Sequence, residues 1–248
     1  MWRSLLRSKG RAATGLFTVE GPRVVAELVG APLRVEALLH VDPLPSALAD
    51  LVAAFGGRDV PCHALPDAEL ARVCDTRTPQ GIVAVAEIPN PSWADLGSGD
   101  LLVLDGVQDP GNVGTLVRAA EAFGMGGVVR LPGTADVWSP KVTRAAAGST
   151  LRLPVVDRTW SEARRSLAEA GCEVWAADAR GEVLHRGGTD RARVALVLGN
   201  EGAGVGEAVL REASRRIAVP LEPPVESLNV GVAGAILMDR LREGRRDG

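Results

Sequence analysis

The chain has 248 residues, 46% of them hydrophobic and 24% charged, with a formal net charge of -3 and a pI near 5.7. This composition fits one large or two small folded domains and excludes a disordered tail protein. No apolar run approaches the roughly 20 residues that a membrane span needs. The start, Met1-Trp2-Arg3-Ser4-Leu5-Leu6-Arg7, is too short and too charged for a signal peptide. Cys62, Cys74 and Cys172 are odd in number and lack metal-ligand spacing, so reduced thiols in a cytoplasm are expected.

A slightly acidic chain is not a non-specific nucleic-acid coat, because that binding rests on excess cation. The first two dozen residues depart from the average. Arg3, Arg7, Lys9, Arg11 and Arg23 face a lone Glu20 there, as a solvated arm or as an RNA contact. Aromatic residues make up only 3%, with no Tyr, which argues against a base-stacking platform.

In chain order, the Glu20-Gly21-Pro22 turn leads into a helical run over 24–29, with Pro22 suited to a first helical turn. Residues 35–40 read as a strand, 47–55 as a short amphipathic helix and 81–86 as a buried strand. Turn residues then punctuate 88–93 and 97–100, which makes 91–99 a linker between domains at 1–90 and 100–248.

Beyond it the pattern is strand, loop, helix, repeated. Leu101-Leu102-Val103-Leu104 is continuously apolar, as in a parallel strand covered on both faces. A helix with Asn112 as its N-cap carries Val113, Leu116, Val117, Ala120 and Phe123 at helical spacing and stops at Gly124. Further strands are expected at 127–131, 172–177 and 194–198. Ser139-Pro140 opens a helix that Gly148 closes, with Lys141 and Arg144 on one face. The last helix is expected from about Leu228 to Leu241. Gly231 and Gly234 within it either weaken the helix or permit close subunit packing.

Three loops, each after an expected strand, carry the chemistry, and in open α/β sheets ligands bind at such ends. The first is Asp109-Pro110-Gly111-Asn112-Val113-Gly114, followed by Arg118. The second is Gly199-Asn200-Glu201-Gly202-Ala203-Gly204. The third runs from Val219-Pro220 to Glu226-Ser227-Leu228-Asn229. Each has a plainer reading: a helix connector, a tight turn, and an N-cap with an acid beside it. The glycine spacing is wrong for a dinucleotide fingerprint. His40, His63 and His185 stand apart, so neither a zinc site nor a Ser-His-Asp hydrolase is supported.

Taken together, the blocks Asp105 to Ala120, Leu196 to Gly204, and Val219-Pro220 with Glu226 to Ala233 resemble the SpoU/TrmH family of RNA 2′-O-ribose methyltransferases. Residues 139–148 resemble the segment between that family's first two motifs. More loosely, 15–21 and 76–85 resemble its ribosomal-protein-like substrate-binding domain.

The resemblance implies an α/β fold with a trefoil-knotted parallel-sheet methyltransferase domain, a homodimer, and S-adenosyl-L-methionine as cofactor, with no metal. It implies cofactor contacts at Gly199, Val219 and Leu228, with Leu198, Ile217 and Glu201 beside them. Its glycines would let backbone approach the adenosine. Arg118 would act on the ribose, positioned by Asn112, Glu201, Ser227 and Asn229. A guanidinium keeps its proton at physiological pH, so holding the target phosphate and hydroxyl suits Arg118 better than serving as base. Arg7, Lys9, Arg11, Arg23, Lys141 and Arg144 are the candidate RNA contacts. Large-subunit rRNA is the expected substrate. A tRNA methyltransferase, a catalytically silent assembly factor and, more distantly, a nicotinamide oxidoreductase are the alternatives.

Overall fold

The computed structural model describes residues 2–185 and 192–243. Met1 and residues 244–248, at the outer ends of the two expected domains, lie outside the described residues. The chain divides into two units, Met1–Asn90 with Asp136–Arg152, and Pro91–Ala135 with Leu153–Gly248.

The first unit is built on a four-stranded sheet of β1 (Leu16–Glu20), β2 (Val35–Val41), β3 (Cys62–Leu65) and β4 (Ile82–Glu87). Its order is β1-β4-β2-β3, with β2 and β3 parallel and the other pairs antiparallel. The expected strands at 35–40 and 81–86 are its central pair. Their Leu38, Leu39, Val83 and Val85 are fully buried, as the apolar runs demand. The N-terminus is ordered rather than a solvated arm: a 3-10 turn over Trp2–Leu6 buries Leu5 and leads into the helix Ser8–Thr14.

Residues 136–152 lie inside the expected 100–248 segment, yet they fold with this first unit. Trp138 packs on Phe17, ring centroids 5.0 Å apart. Arg152 pairs with Glu27, and Arg144 with Asp75 at 3.0 Å. Arg11 is the best-buried contact, at 3% exposure. Its guanidinium donates to Asp136 at 2.5 and 2.8 Å and to the Leu5 carbonyl at 2.7 Å. Arg11 is therefore corrected from an RNA contact to an internal one, because all three nitrogens of its guanidinium are engaged within the fold.

The second unit holds a six-stranded, all-parallel sheet. In chain order its strands are β5 (Leu101–Asp105), β6 (Gly127–Arg130), β7 (Val155–Asp157), β8 (Glu173–Val183), β9 (Val194–Gly199) and β10 (Arg215–Ala218). The spatial order is β10-β8-β9-β5-β6-β7. Central β5 and β9 are buried along their apolar runs, and Leu101, Val103, Ala195 and Val197 form the core with Ala163 and Leu167 of the helix Trp160–Glu169. Strand β8 continues past its expected end at Ala177. Its register with β10 jumps there, Ala176 facing Arg216 and Glu182 facing Ile217, so residues 177–181 leave the ladder as a bulge.

Two helices prepare the site. The helix Pro110–Ala122 is capped by Asp109, whose carboxylate accepts from the Asn112 N–H at 2.9 Å. Asn112 is thus not the cap that composition suggests, and its side chain is free for other work. The C-terminal helix Val230–Glu243 starts two residues later than expected. The Asn229 side chain accepts there from the Gly231 N–H at 2.9 Å and the Val232 N–H at 3.3 Å. Gly234 lies inside the unit, where any side chain would collide with Leu116 and Leu198. Close packing within the subunit therefore accounts for this glycine.

Candidate active site

A parallel sheet places the C-terminal ends of its strands on one side. The loops after β5, β9 and β10 consequently converge, together with the β8 bulge. The loops after β9 and β10 and the β8 bulge line a cavity of about 770 Å³, within the size range of sites for small ligands. Leu198, Gly199, Ile217, Val219 and Leu228 all line it, and so do Glu201, Ser227 and Asn229. Asn112 and Arg118 do not.

The wall has a definite chemistry. Leu198, Ile217, Val225 and Leu228 supply apolar surface, while its charged side chains are Asp178, Glu201 and Glu226, with no Lys or Arg among the described lining. Apolar walls with carboxylates and no cation suit a ligand with an apolar body and positive charge.

Hydrogen bonds bind the loops into one frame. Glu201 reaches from the β9 loop to the β5 loop, where one carboxylate oxygen accepts from the Asp109 N–H at 3.1 Å and Asn112 Nδ2 at 3.0 Å. The other accepts from the Gln108 N–H at 3.2 Å. Asn229 of the third loop donates to Asn112 Oδ1 at 2.9 Å. Glu201, Asn112 and Asn229 thus form a chain across all three loops. Burial pushes the Glu201 carboxyl up. Its bonds from Asn112 and from the N–H groups of Glu201 itself, Asp109 and Gln108 outweigh that and hold it below the ordinary glutamate value.

Further clips reinforce the frame. Asn200 Nδ2 donates to the Gly106 carbonyl at 3.0 Å, and Asp105 accepts from the Gly206 N–H at 2.7 Å. Gly199 is also required by the loop itself. A Cβ there would strike the Gly204–Val205 backbone, where the chain folds back on itself.

Arg118 sits on the exposed side of the Pro110–Ala122 helix, and no hydrogen bond or ion pair to its side chain is found among the described residues. Ser227, also exposed, has no hydrogen-bond partner among them. Of the expected RNA contacts, Arg7, Lys9, Arg23 and Lys141 are exposed on the first unit. Arg144 is 41% exposed but held by Asp75.

Sequence reasoning missed Asp105, Asp109, Asn200 and the wall from 177 to 183. Asn200 and Asp109 stood inside the quoted motifs, and their polarity beside turn glycines was a usable signal. The bulge had none, since it arises from a register jump between two strands.

Residues 100–239 match the model of the SpoU rRNA Methylase family, and residues 1–84 that of the MRM3-like substrate binding domain. The chain belongs to the SpoU rRNA methylase family. Among curated relatives, it is 36% identical to the 23S rRNA (guanosine(2553)-2′-O)-methyltransferase RlmP of Bacillus subtilis, over 97% of this chain and 94% of that one. A putative RNA methyltransferase of the TrmH family from Porphyromonas gingivalis superposes with a TM-score of 0.82 at 33% identity, covering 100% of this chain and 96% of that one. An AdoMet-bound rRNA methyltransferase from Sinorhizobium meliloti gives 0.85 at 26% identity, covering 97% and 92%. Among the described residues there is no group of three or more side chains that could hold a metal, and no helix long and apolar enough to cross a membrane.

Proposed function

We propose that this chain is an S-adenosyl-L-methionine-dependent 2′-O-ribose methyltransferase acting on large-subunit rRNA. The observation that carries this reading is the cavity itself, walled by the second and third motif loops and tied to the first through Glu201, Asn112 and Asn229. The named activities of RlmP and of the AdoMet-bound neighbour support it.

The cavity residues fit the cofactor. Leu198, Ile217 and Leu228 would take the adenine between apolar surfaces, with Gly199 and Val219 offering backbone polar groups. The carboxylates of Glu201 and Glu226, with no cation in the described lining, would favour the cofactor's cationic groups. When bound, S-adenosylmethionine supplies an activated methyl group on sulfur.

The protein's own task is then alignment, which can contribute several kcal/mol when reacting atoms are held near attack geometry. Glu201 acts as a positioning residue. Its oxygens are occupied as acceptors, which leaves it poorly placed to receive a substrate proton. Arg118 holds the target phosphate and the ribose hydroxyl, and the proton leaves through that phosphate or water. Ser227 and Asn229 orient the ribose at the cavity mouth.

Arg118 does not line the cavity of its own chain. This supports a homodimer in which it serves the partner's site, with the Arg118 face of its helix and the 49% exposed Val232 of the C-terminal helix at the interface. The backbone around the β9 and β10 loops is proposed to form a trefoil knot. Cofactor binding by calorimetry tests the reading. A Val225→Trp variant, at a lining position that is 52% exposed, should abolish binding while the fold persists; binding retained at wild-type strength would place the cofactor elsewhere.

A further inference from the structure

The β8 bulge forms one wall of the cavity through Ala177, Asp178, Ala179 and Gly181. It is pressed against β10, since a Cβ on Gly181 would strike the backbone of Arg216 and Ile217. A bulge beside a ligand site re-aims side chains, and here it aims Asp178. That side chain is only 11% exposed. Its Oδ1 accepts from the Arg180 N–H at 2.9 Å, which shapes the bulge from within. Its Oδ2 is buried and has no hydrogen-bond partner among the described residues. Arg216 stands 3.8 Å from that oxygen, near enough to balance its charge and too far to hydrogen-bond it.

The three carboxylates of the wall therefore differ in what they still need. Both oxygens of Glu201 accept from the frame. Glu226 is exposed, and no hydrogen bond or ion pair engages it among the described residues, so it needs a cation. Asp178 has the Arg180 and Arg216 guanidinium groups at 3.6 and 3.8 Å, both outside the described lining. Its charge is balanced, and what it needs is a hydrogen-bond donor. Buried polar atoms are nearly always paired, so an orphan acceptor in a cavity wall marks a donor that the ligand brings.

We propose that Asp178 is a specificity-determining residue for the adenosine end of the cofactor, accepting from a neutral donor, either a ribose hydroxyl or the adenine amino group. The cationic groups are left to Glu226. The inference rests on the reading of the cavity as the S-adenosylmethionine site and adds a side-chain contact to the backbone groups of Gly199 and Val219. Because the bulge is braced on β10, Asp178 is held in place before the ligand arrives, which lowers the ordering cost of binding.

The test is calorimetry on the full chain with S-adenosylmethionine and with methylthioadenosine, which keeps the adenosine and carries neither the ammonium nor the sulfonium. Asp178→Asn retains an oxygen for the Arg180 N–H and replaces the orphan acceptor by a donor. It should weaken both ligands alike, by roughly tenfold or more. Glu226→Gln should weaken S-adenosylmethionine by roughly two- to fivefold and leave methylthioadenosine at its wild-type affinity. The 2′-deoxy, 3′-deoxy and inosine forms of methylthioadenosine then separate the donors. The form that binds the wild-type chain weakly, and loses nothing further in Asp178→Asn, identifies the group that Asp178 reads.

Wild-type affinity of a folded Asp178→Asn for methylthioadenosine overturns the assignment and leaves the enzymatic reading intact. So does wild-type protein that binds all three altered forms as tightly as the parent, a result that stands even if the variant folds poorly. Failure of the wild-type chain to bind S-adenosylmethionine overturns the underlying reading as well.

Discussion

The side-chain amide of Asn112 lies 3.0 Å from a carboxylate oxygen of Glu201, although 89 residues separate them along the chain. Asn229 closes the series at 2.9 Å from the same Asn112 side chain. Because Asp109 takes over the helix cap, Asn112 has its amide free to face two loops at once. Residues joined in one hydrogen-bond network couple by about 0.5–3 kcal/mol. A double-mutant cycle of Asn112→Ala and Glu201→Ala, read on kcat for methyl transfer, should show the double variant little worse than either single one. Additive losses would mean that the two residues act separately.

The pH dependence of stability follows from the same carboxylate. Glu201 titrates below its ordinary value, so its charged form is favoured in the folded state. The stability it contributes is present above the unfolded glutamate range near 4.3 and is lost as pH falls through the lowered folded value. In thermal melts below about pH 5, the wild-type chain should lose stability faster than Glu201→Gln. Parallel curves for the two proteins would count against the network as a structural tie.

Gly234 joins fold and site, since its neighbour Leu198 is also cavity wall. Gly234→Val should cost about 1–3 kcal/mol through overpacking. It should also weaken cofactor binding by pushing Leu198 inward. A melting temperature unchanged within error, with unchanged cofactor affinity, would contradict the packing seen.

Arg11→Met removes one partner of a largely buried ion pair and leaves Asp136 without its cation. A loss of about 2–3 kcal/mol is expected in chemical denaturation. Methyl transfer at low temperature should survive, because Arg11 touches no part of the cavity.

Much of this was legible in the chain. Apolar runs at 101–104 and 194–198 announced covered parallel strands, and β5 and β9 are the buried centre of the sheet. The first two loops were identifiable because turn glycines and polar residues stood together after those runs, and the third because prolines and polar residues preceded the last helix. The edges were harder to read. Strand β3, Cys-His-Ala-Leu, has exposed residues at its centre and no alternation to betray it. The fate of Arg11 was hidden as well, since a basic N-terminal cluster looks the same whether its members face water or a distant Asp136. Only packing separates the buried guanidinium from its exposed neighbours.

The central claim is the reaction at the framed cavity. Its most direct test is transfer of labelled methyl from S-adenosylmethionine to separated tRNA, small-subunit and large-subunit rRNA from an unmodified host, with wild-type protein and Arg118→Ala side by side. The account predicts label in large-subunit RNA alone, at one alkali-resistant linkage, and its loss in the variant despite normal cofactor binding. Label in no pool, or full activity of Arg118→Ala, would contradict it.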